Sequence, residues 1–282
     1  MAKSDQAAAE NPILETVKTI VYALLLAGLF RTLFFQPFWI PSGSMKGTLL
    51  IGDFLFVNKM AYGYSYASCP GIPFTGIGPD KLCGFNKGAN TRLFGSEPQR
   101  GDVIVFRHPV HGTDYIKRLI GLPGDKIQIR DGQIILNDRL IPQKEIENFV
   151  EIMEPQGSMR NTPRCANGAV GMGAVCEKEQ AIETLPDGKS YKVLNIRDGW
   201  PGDNTGSFFV PKGHYFFMGD NRDNSTDSRI AQDFSRPSQS GVGFVKYEDI
   251  IGRADRVIFS SAGRSMLFFW TWRSDRFFEE VI

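Results

Sequence analysis

Two stretches of this sequence hold residues that can cooperate in acyl transfer. One is a serine among small residues, Pro41-Ser42-Gly43-Ser44-Met45, and the other a lysine within an apolar pattern, Asp114-Tyr115-Ile116-Lys117-Arg118-Leu119-Ile120. Small neighbours let a chain bring the Ser44 hydroxyl and backbone amide together at an exposed edge. That arrangement suits a nucleophile with an adjacent oxyanion site. By itself, Ser-Gly-Ser is also common loop composition. A serine hydroxyl needs a base. On a β-strand Lys117 shares one face with Tyr115 and Leu119, and Arg118 faces the other way with Ile116 and Ile120. Burial among apolar groups lowers an amine's pKa. A neutral amine can take the serine proton and return it to a leaving amine. The ordinary alternative is an exposed strand lysine.

Other bases compete. The three histidines are His108, His111 and His214. His108 and His111 flank Pro109 in a turn, where solvated loop histidines are expected, and their spacing suits a metal only on a helix that Pro109 disfavours. A Ser-His-Asp triad is a matter of geometry and stays open at this point. Lys46 lies two residues from Ser44, on the same side of an extended segment. Lys117 is preferred because its strand offers burial, whereas Lys46 sits in a polar loop. The polar block 219–229 lacks the glycine and terminal glutamate of an EF-hand, which excludes that calcium site. Arg222 and Asp223 are left to close a tight turn.

The elements that must position these groups are mostly strands. Short strand patterns run over Leu49–Val57, Val103–Phe106, Tyr115–Ile120, Lys126–Arg130, Gln133–Leu136, Tyr191–Ile196, Tyr215–Met218 and Arg256–Ser260. Asp131-Gly132 between two alternating runs predicts a hairpin. The expected fold class is mainly β and antiparallel, preceded by one transmembrane helix. Boundaries are placed at 1–11 for an N-terminal tail, 12–36 for the anchor and 37–142 for the first part of the core. An insertion with irregular elements follows at 143–207, and the second part of the core at 208–282.

The apolar run Ile20 to Phe30 is too short to span ~30 Å of hydrocarbon by itself, but extends to a helix from Pro12 to about Phe35. Pro37 prevents its continuation, and Phe38-Trp39 suits the interface. An uncleaved signal anchor is favoured over a cleaved signal, because no small-x-small exit follows. The segment Leu267 to Trp272 suits either the membrane interface or a patch packed on the core. Of 282 residues, 42% are hydrophobic and 22% charged, with a net charge of +1. That is a globular composition without the basic excess of a nucleic-acid binder. The four cysteines have no zinc spacing. Their even number and local pairing fit two disulfides, Cys69–Cys83 and Cys165–Cys176, as well as four buried free thiols; the membrane segment favours the disulfides, hence an oxidising compartment.

Five ordered blocks carry a family resemblance. They are the 41–45 segment with Thr48-Leu49-Leu50-Ile51-Gly52-Asp53; Arg100-Gly101-Asp102-Val103-Ile104-Val105-Phe106; Asp114-Tyr115-Ile116-Lys117-Arg118; Gly121-Leu122-Pro123-Gly124-Asp125; and Gly219-Asp220-Asn221-Arg222-Asp223-Asn224-Ser225-Thr226-Asp227-Ser228-Arg229. Along nearly its whole length the chain resembles bacterial type I signal peptidase (leader peptidase), a serine–lysine protease family. The resemblance implies Ser44 as nucleophile, Lys117 as general base, Ser42 in the oxyanion hole and Ser225 orienting Lys117. It implies a structural ion pair between Asp227 and Arg229, and a fold made of a β-rich catalytic core with an inserted smaller cap. Phe38, Ile40, Met45, Leu49 and Ile116 fall where the family lines its substrate pockets. The family often has proline where this chain has Gly47, and is often anchored by two spans where one is visible here.

The implied activity is removal of signal peptides from exported preproteins, at the periplasmic side of a bacterial inner membrane. Partners are then preproteins and the lipid bilayer, without nucleic acid, metal or organic cofactor. The rival readings are a maturation protease for one pilin-like or conjugation substrate, a soluble self-cleaving repressor-type protease, and a non-enzymatic anchored β domain.

Overall fold

The computed structural model describes residues 12–69, 83–84, 87–263 and 266–282. Helix α1 (Pro12–Leu33) opens the described chain. Its apolar stretch Pro12–Phe30 is long enough to cross a membrane, and none of it is buried against the rest of the molecule. At ~1.5 Å per residue its 22 residues reach about 33 Å. Near the start, Lys18 pairs with Glu15 one turn away at 2.6 Å.

The helix ends earlier than the sequence predicted. Phe35 already belongs to β1 (Phe35–Trp39), which pairs antiparallel with β2 (Asp53–Asn58). Those backbone bonds take over from the helical ones, and Pro37 fits because β1 is an edge strand. The rest of the main sheet comprises β3 (Val103–Arg107), β4 (Asp114–Gly121), β12 (His214–Met218), β13 (Val245–Lys246) and β14 (Ile250–Ser260). Seven strands lie in the order β1-β2-β14-β3-β4-β12-β13.

A second sheet has four strands: β11 (Phe208–Phe209), β5 (Lys126–Arg130), β6 (Gln133–Leu136) and β7 (Arg139–Leu140). The Asp131-Gly132 turn joins β5 to β6 with φ of 47° and 74°, as a type I′ hairpin requires. The stretch 143–207, expected to hold irregular elements apart from the strand at Tyr191–Ile196, forms a three-stranded sheet: β8 (Gln143–Ile152), β9 (Val175–Thr184) and β10 (Ser190–Asn195). Exposure along β8 does not alternate cleanly, so period-2 reasoning missed it. Cys165 is bonded to Cys176 and Cys69 to Cys83, the two pairings expected.

Two aspects of the core bear on the site. Ile120, Phe216 and Met218 of the main sheet pack with Ile127, Ile129 and Ile134, and with Tyr191 and Val193 of β10, so all three sheets share one cluster. Ile40, Met45 and Leu49 pack on Leu55, Val103, Ala254 and Val257, which plants the segment after β1 on the main sheet. The aromatic stretch near the C-terminus divides: Phe269 and Trp270 are 67% and 69% exposed, whereas Trp272 packs edge-on against Phe259 of β14, ring centres 5.0 Å apart.

Candidate active site

Ser44 sits in a turn between β1 and β2, only 8% exposed. The turn is fastened from several directions. The Lys46 amide donates to Gly43 O at 3.2 Å, and the Asn221 amide to Ser44 O at 3.1 Å. The Asn221 side chain donates to Gly43 O at 2.9 Å. Sequence reasoning singled out the block around Asn221 but gave this residue no role. Its work is done through backbone carbonyls, which carry no residue-type pattern to search for.

Strand β4 brings Lys117 to this turn. Its amine lies 2.8 Å from Ser44 Oγ and 2.9 Å from Ile116 O. Lys117 is buried, and the loss of hydration pulls its pKa from 10.5 to about 8, against the opposing pull of Asp227 and Asp220. On the opposite face, Arg118 makes a bidentate bond to Asp220 at 2.7 and 2.8 Å. Asp220 in turn accepts the Thr48 hydroxyl at 2.6 Å. The alternation of one strand thus places a neutral-prone amine and a fixed cation on opposite sides.

The competing bases are elsewhere. The Lys46 amine bonds to Glu151 and Gln156 rather than to Ser44. Lys46 is also buried, where a polar loop was expected, because the β8–β9 hairpin covers it. His108 was expected in solvent but is fully buried. It stacks on His111 with ring centres 4.0 Å apart, and its Nδ1 accepts the amides of Val110 and His111. Burial, with the charges of His111 and Lys117, pushes its pKa down to about 4. His214 bonds to the Lys212 carbonyl. None of these hydrogen bonds joins a histidine to Ser44.

Ser42 Oγ is 3.4 Å from Ser44 Oγ, on the exposed side. Ser225 is buried near the site, yet no hydrogen bond joins it to Lys117. The amine is already engaged by Ser44 and the Ile116 carbonyl, which suffices for a neutral amine. The Ser225 hydroxyl falls short of a full bond to any partner and acts only weakly on Asp227.

Asp227 and Arg229 form a buried bidentate pair, both bonds 2.9 Å, and Asp227 also accepts the Gly219 amide at 3.0 Å. Burial pushes the Asp227 carboxyl up, but Arg229 outweighs it and holds the group below its usual range. Arg222 and Asp223 do more than close a turn. Arg222 forks onto Glu183 of β9, and Asp223 accepts the amides of Ile196 and Arg197. Both tie the main sheet to the β8–β10 sheet.

Ile40, Met45 and Leu49 are buried in one cluster with the half-buried Ile116 against it, and Phe38 lies in the adjoining cluster with Ile116. Two surface clefts, of about 370 and 440 Å³, include neither Ser44 nor Lys117 in their lining.

The chain matches the family described as signal peptidase, peptidase S26, over residues 13–259. It belongs to that family. Signal peptidase I of Rickettsia typhi is 35% identical over 264 residues, covering 91% of this chain and 84% of the relative. Signal peptidase I of Rickettsia prowazekii is 38% identical over 250 residues, covering 86% and 79%. A crystal structure of a signal peptidase I from Enterococcus faecalis covers 56% of this chain at 23% identity and a TM-score of 0.28, too low to bear on the fold. As a member of the peptidase S26 family the chain is a peptidase, and its mainly β fold with one apolar N-terminal helix accompanies that membership.

Proposed function

We propose that this protein is a membrane-anchored endopeptidase that removes signal peptides from exported preproteins with a Ser44–Lys117 dyad. The observation that carries this reading is the 2.8 Å contact between a buried, low-pKa amine and Ser44 Oγ. Lys117 takes the Ser44 proton as the oxygen attacks the scissile carbonyl. The Ser44 amide and Ser42 hydroxyl receive the negative charge on the tetrahedral oxygen. The Lys117 ammonium then protonates the leaving amine, which gives an acyl-Ser44 ester. Water, deprotonated by Lys117, hydrolyses the ester and restores the serine. Asp227 and Arg229 hold the 219–229 block in place, and Ser225 orients Lys117 when substrate disturbs its present contacts.

The open edge of β1 suits a substrate bound as an added strand that runs on toward Ser44. Phe38, Ile40, Met45, Leu49 and Ile116 form the floor beneath it. They are already closely packed, so only small side chains fit at the first and third positions before the cut. Helix α1 anchors the chain, exposed Trp270 and Phe269 rest in the lipid interface, and the catalytic part lies on the periplasmic side of the inner membrane. Residues 143–207 form an inserted cap on a core made of 37–142 and 208–282.

Ser44→Ala and Lys117→Ala are each expected to lower preprotein cleavage at least ~10³-fold while the chain stays folded. Near wild-type processing by either folded variant overturns the assignment of that residue. Comparable cleavage of several unrelated preproteins separates this reading from a single-substrate maturation protease.

A further inference from the structure

A buried polar cluster outside the dyad grips the nucleophile turn from the β8–β9 side. Lys46 is 4% exposed although it lies two residues after Ser44. Its amine donates to Glu151 Oε2 at 2.5 Å and to Gln156 Oε1 at 2.8 Å. Gln156 donates back to the same Glu151 oxygen at 2.6 Å, and Lys178 of β9 pairs with the other. Burial pushes the Glu151 carboxyl up, but Lys46 and Lys178 outweigh it and keep it below its usual range. The Lys46 stem passes under Gly43, where an added Cβ would lie 3.3 Å from Lys46 Cε. On the other flank, the Asn161 side chain donates to Pro41 O at 2.8 Å. Residues 42–45 are thus bracketed on both sides by one segment, 151–161.

We propose that Glu151 is a positioning residue: acting through Lys46, it fixes the 43–46 turn so that the Ser44 amide and hydroxyl address one carbonyl. The inference rests on Ser44 being the nucleophile. A buried ion pair often adds little stability, because desolvating two charges offsets their attraction. What such a pair can specify is a single geometry. An oxyanion donor accelerates acyl transfer only when it is aimed before the charge develops. The turn carries that donor, and Lys46 is the side chain through which the cap sheet holds it. A purely adhesive role between the two sheets predicts a different outcome: lower melting temperature with kcat unchanged.

Lys46→Met tests the point cleanly, because it leaves Glu151 paired with Lys178 and fills the same space with an apolar stem. On a signal-peptide substrate, kcat is expected to fall about tenfold with KM within about twofold of wild type. Acylation by a serine-directed probe should slow by the same factor. Adding Glu151→Gln to Lys46→Met should cause no further loss, since both act through one contact. If Glu151→Gln does not fold, Gln156→Ala supplies the second arm with the same expectation. A kcat for Lys46→Met within about twofold of wild type, or losses that multiply, overturns the proposal. Ser44→Ala run in parallel separates the two levels. If it retains turnover, the nucleophile assignment falls and this inference with it. If it is inactive while Lys46→Met is fully active, only the inference falls.

Discussion

Lys117 stands where two demands oppose each other. The proposed mechanism needs a neutral amine, and burial favours one at the expense of folding energy. The amine's folded pKa of about 8 lies below the ordinary 10.5. Between these values the unfolded chain binds more protons than the folded one, so stability rises with pH across that window. At pH 7 the folded chain therefore carries an unfavourable term on the order of 3 kcal/mol. Lys117→Met is expected to abolish cleavage yet raise stability at pH 7 by up to about that amount, as read from denaturant midpoints. In the unaltered chain, kcat/KM should rise through a pKa near 8 as the amine loses its proton. A profile flat from pH 6 to about 10 would refute Lys117 as base. Much at this scale was legible: the Ser44–Lys117 contact follows from residue types and alternation together with the family pattern, and the Asp227–Arg229 pair from that pattern alone. Lys46 and His108 were misjudged as solvated because their cover comes from distant segments, which no local pattern reports. Gly47 explains a departure from that pattern. Its φ of +107° is closed to proline, and an added Cβ would lie 3.0 Å from the Lys192 carbonyl.

Among elements, those with clean alternation were the ones the sequence exposed. Strands β3 to β6, β10 and β12 match their predicted spans within a residue or so. The start of strand β1 was absorbed into the anchor because Phe35 read as its last apolar residue, and Phe38-Trp39 was read as an interface pair rather than as a strand. Strands β8 and β9 were missed because they are rich in Glu and Lys, with β8 largely exposed and β9 half-covered without a clean alternation. The β8–β9 pair is held at its far end by Cys165–Cys176, an 11-residue separation. Replacing both cysteines with alanine is expected to lower stability by about 3 kcal/mol. Equal midpoints for the oxidised and substituted chains in a denaturant titration would show that the hairpin stands without the bond.

For the whole molecule, α1 is separable from the sheets, since Pro12–Phe30 is not buried against them and only its C-terminal end meets them, with Phe30 beside Phe35 of β1. A chain lacking residues 1–33 is expected to keep its melting temperature and its rate on a short soluble substrate. On a preprotein held in vesicles, its rate should fall at least about tenfold, because the two partners no longer share a surface. Equal loss on both substrates would mean that the helix shapes the site. Sequence alone could say that the serine follows the span closely. It could not say that three sheets would meet through one cluster around Ile120 and Phe216, a product of long-range packing.

The position of β1 at the rim of the main sheet carries one more consequence. Among the described residues no strand pairs with its outer side, so amide and carbonyl groups there stand ready for any extended chain. Idle enzyme thereby carries a latent self-association hazard, blunted by Pro37, which withdraws one donor from the row. Crowded, substrate-free preparations should stick rim to rim, and a tight-binding peptide ought to keep them dispersed.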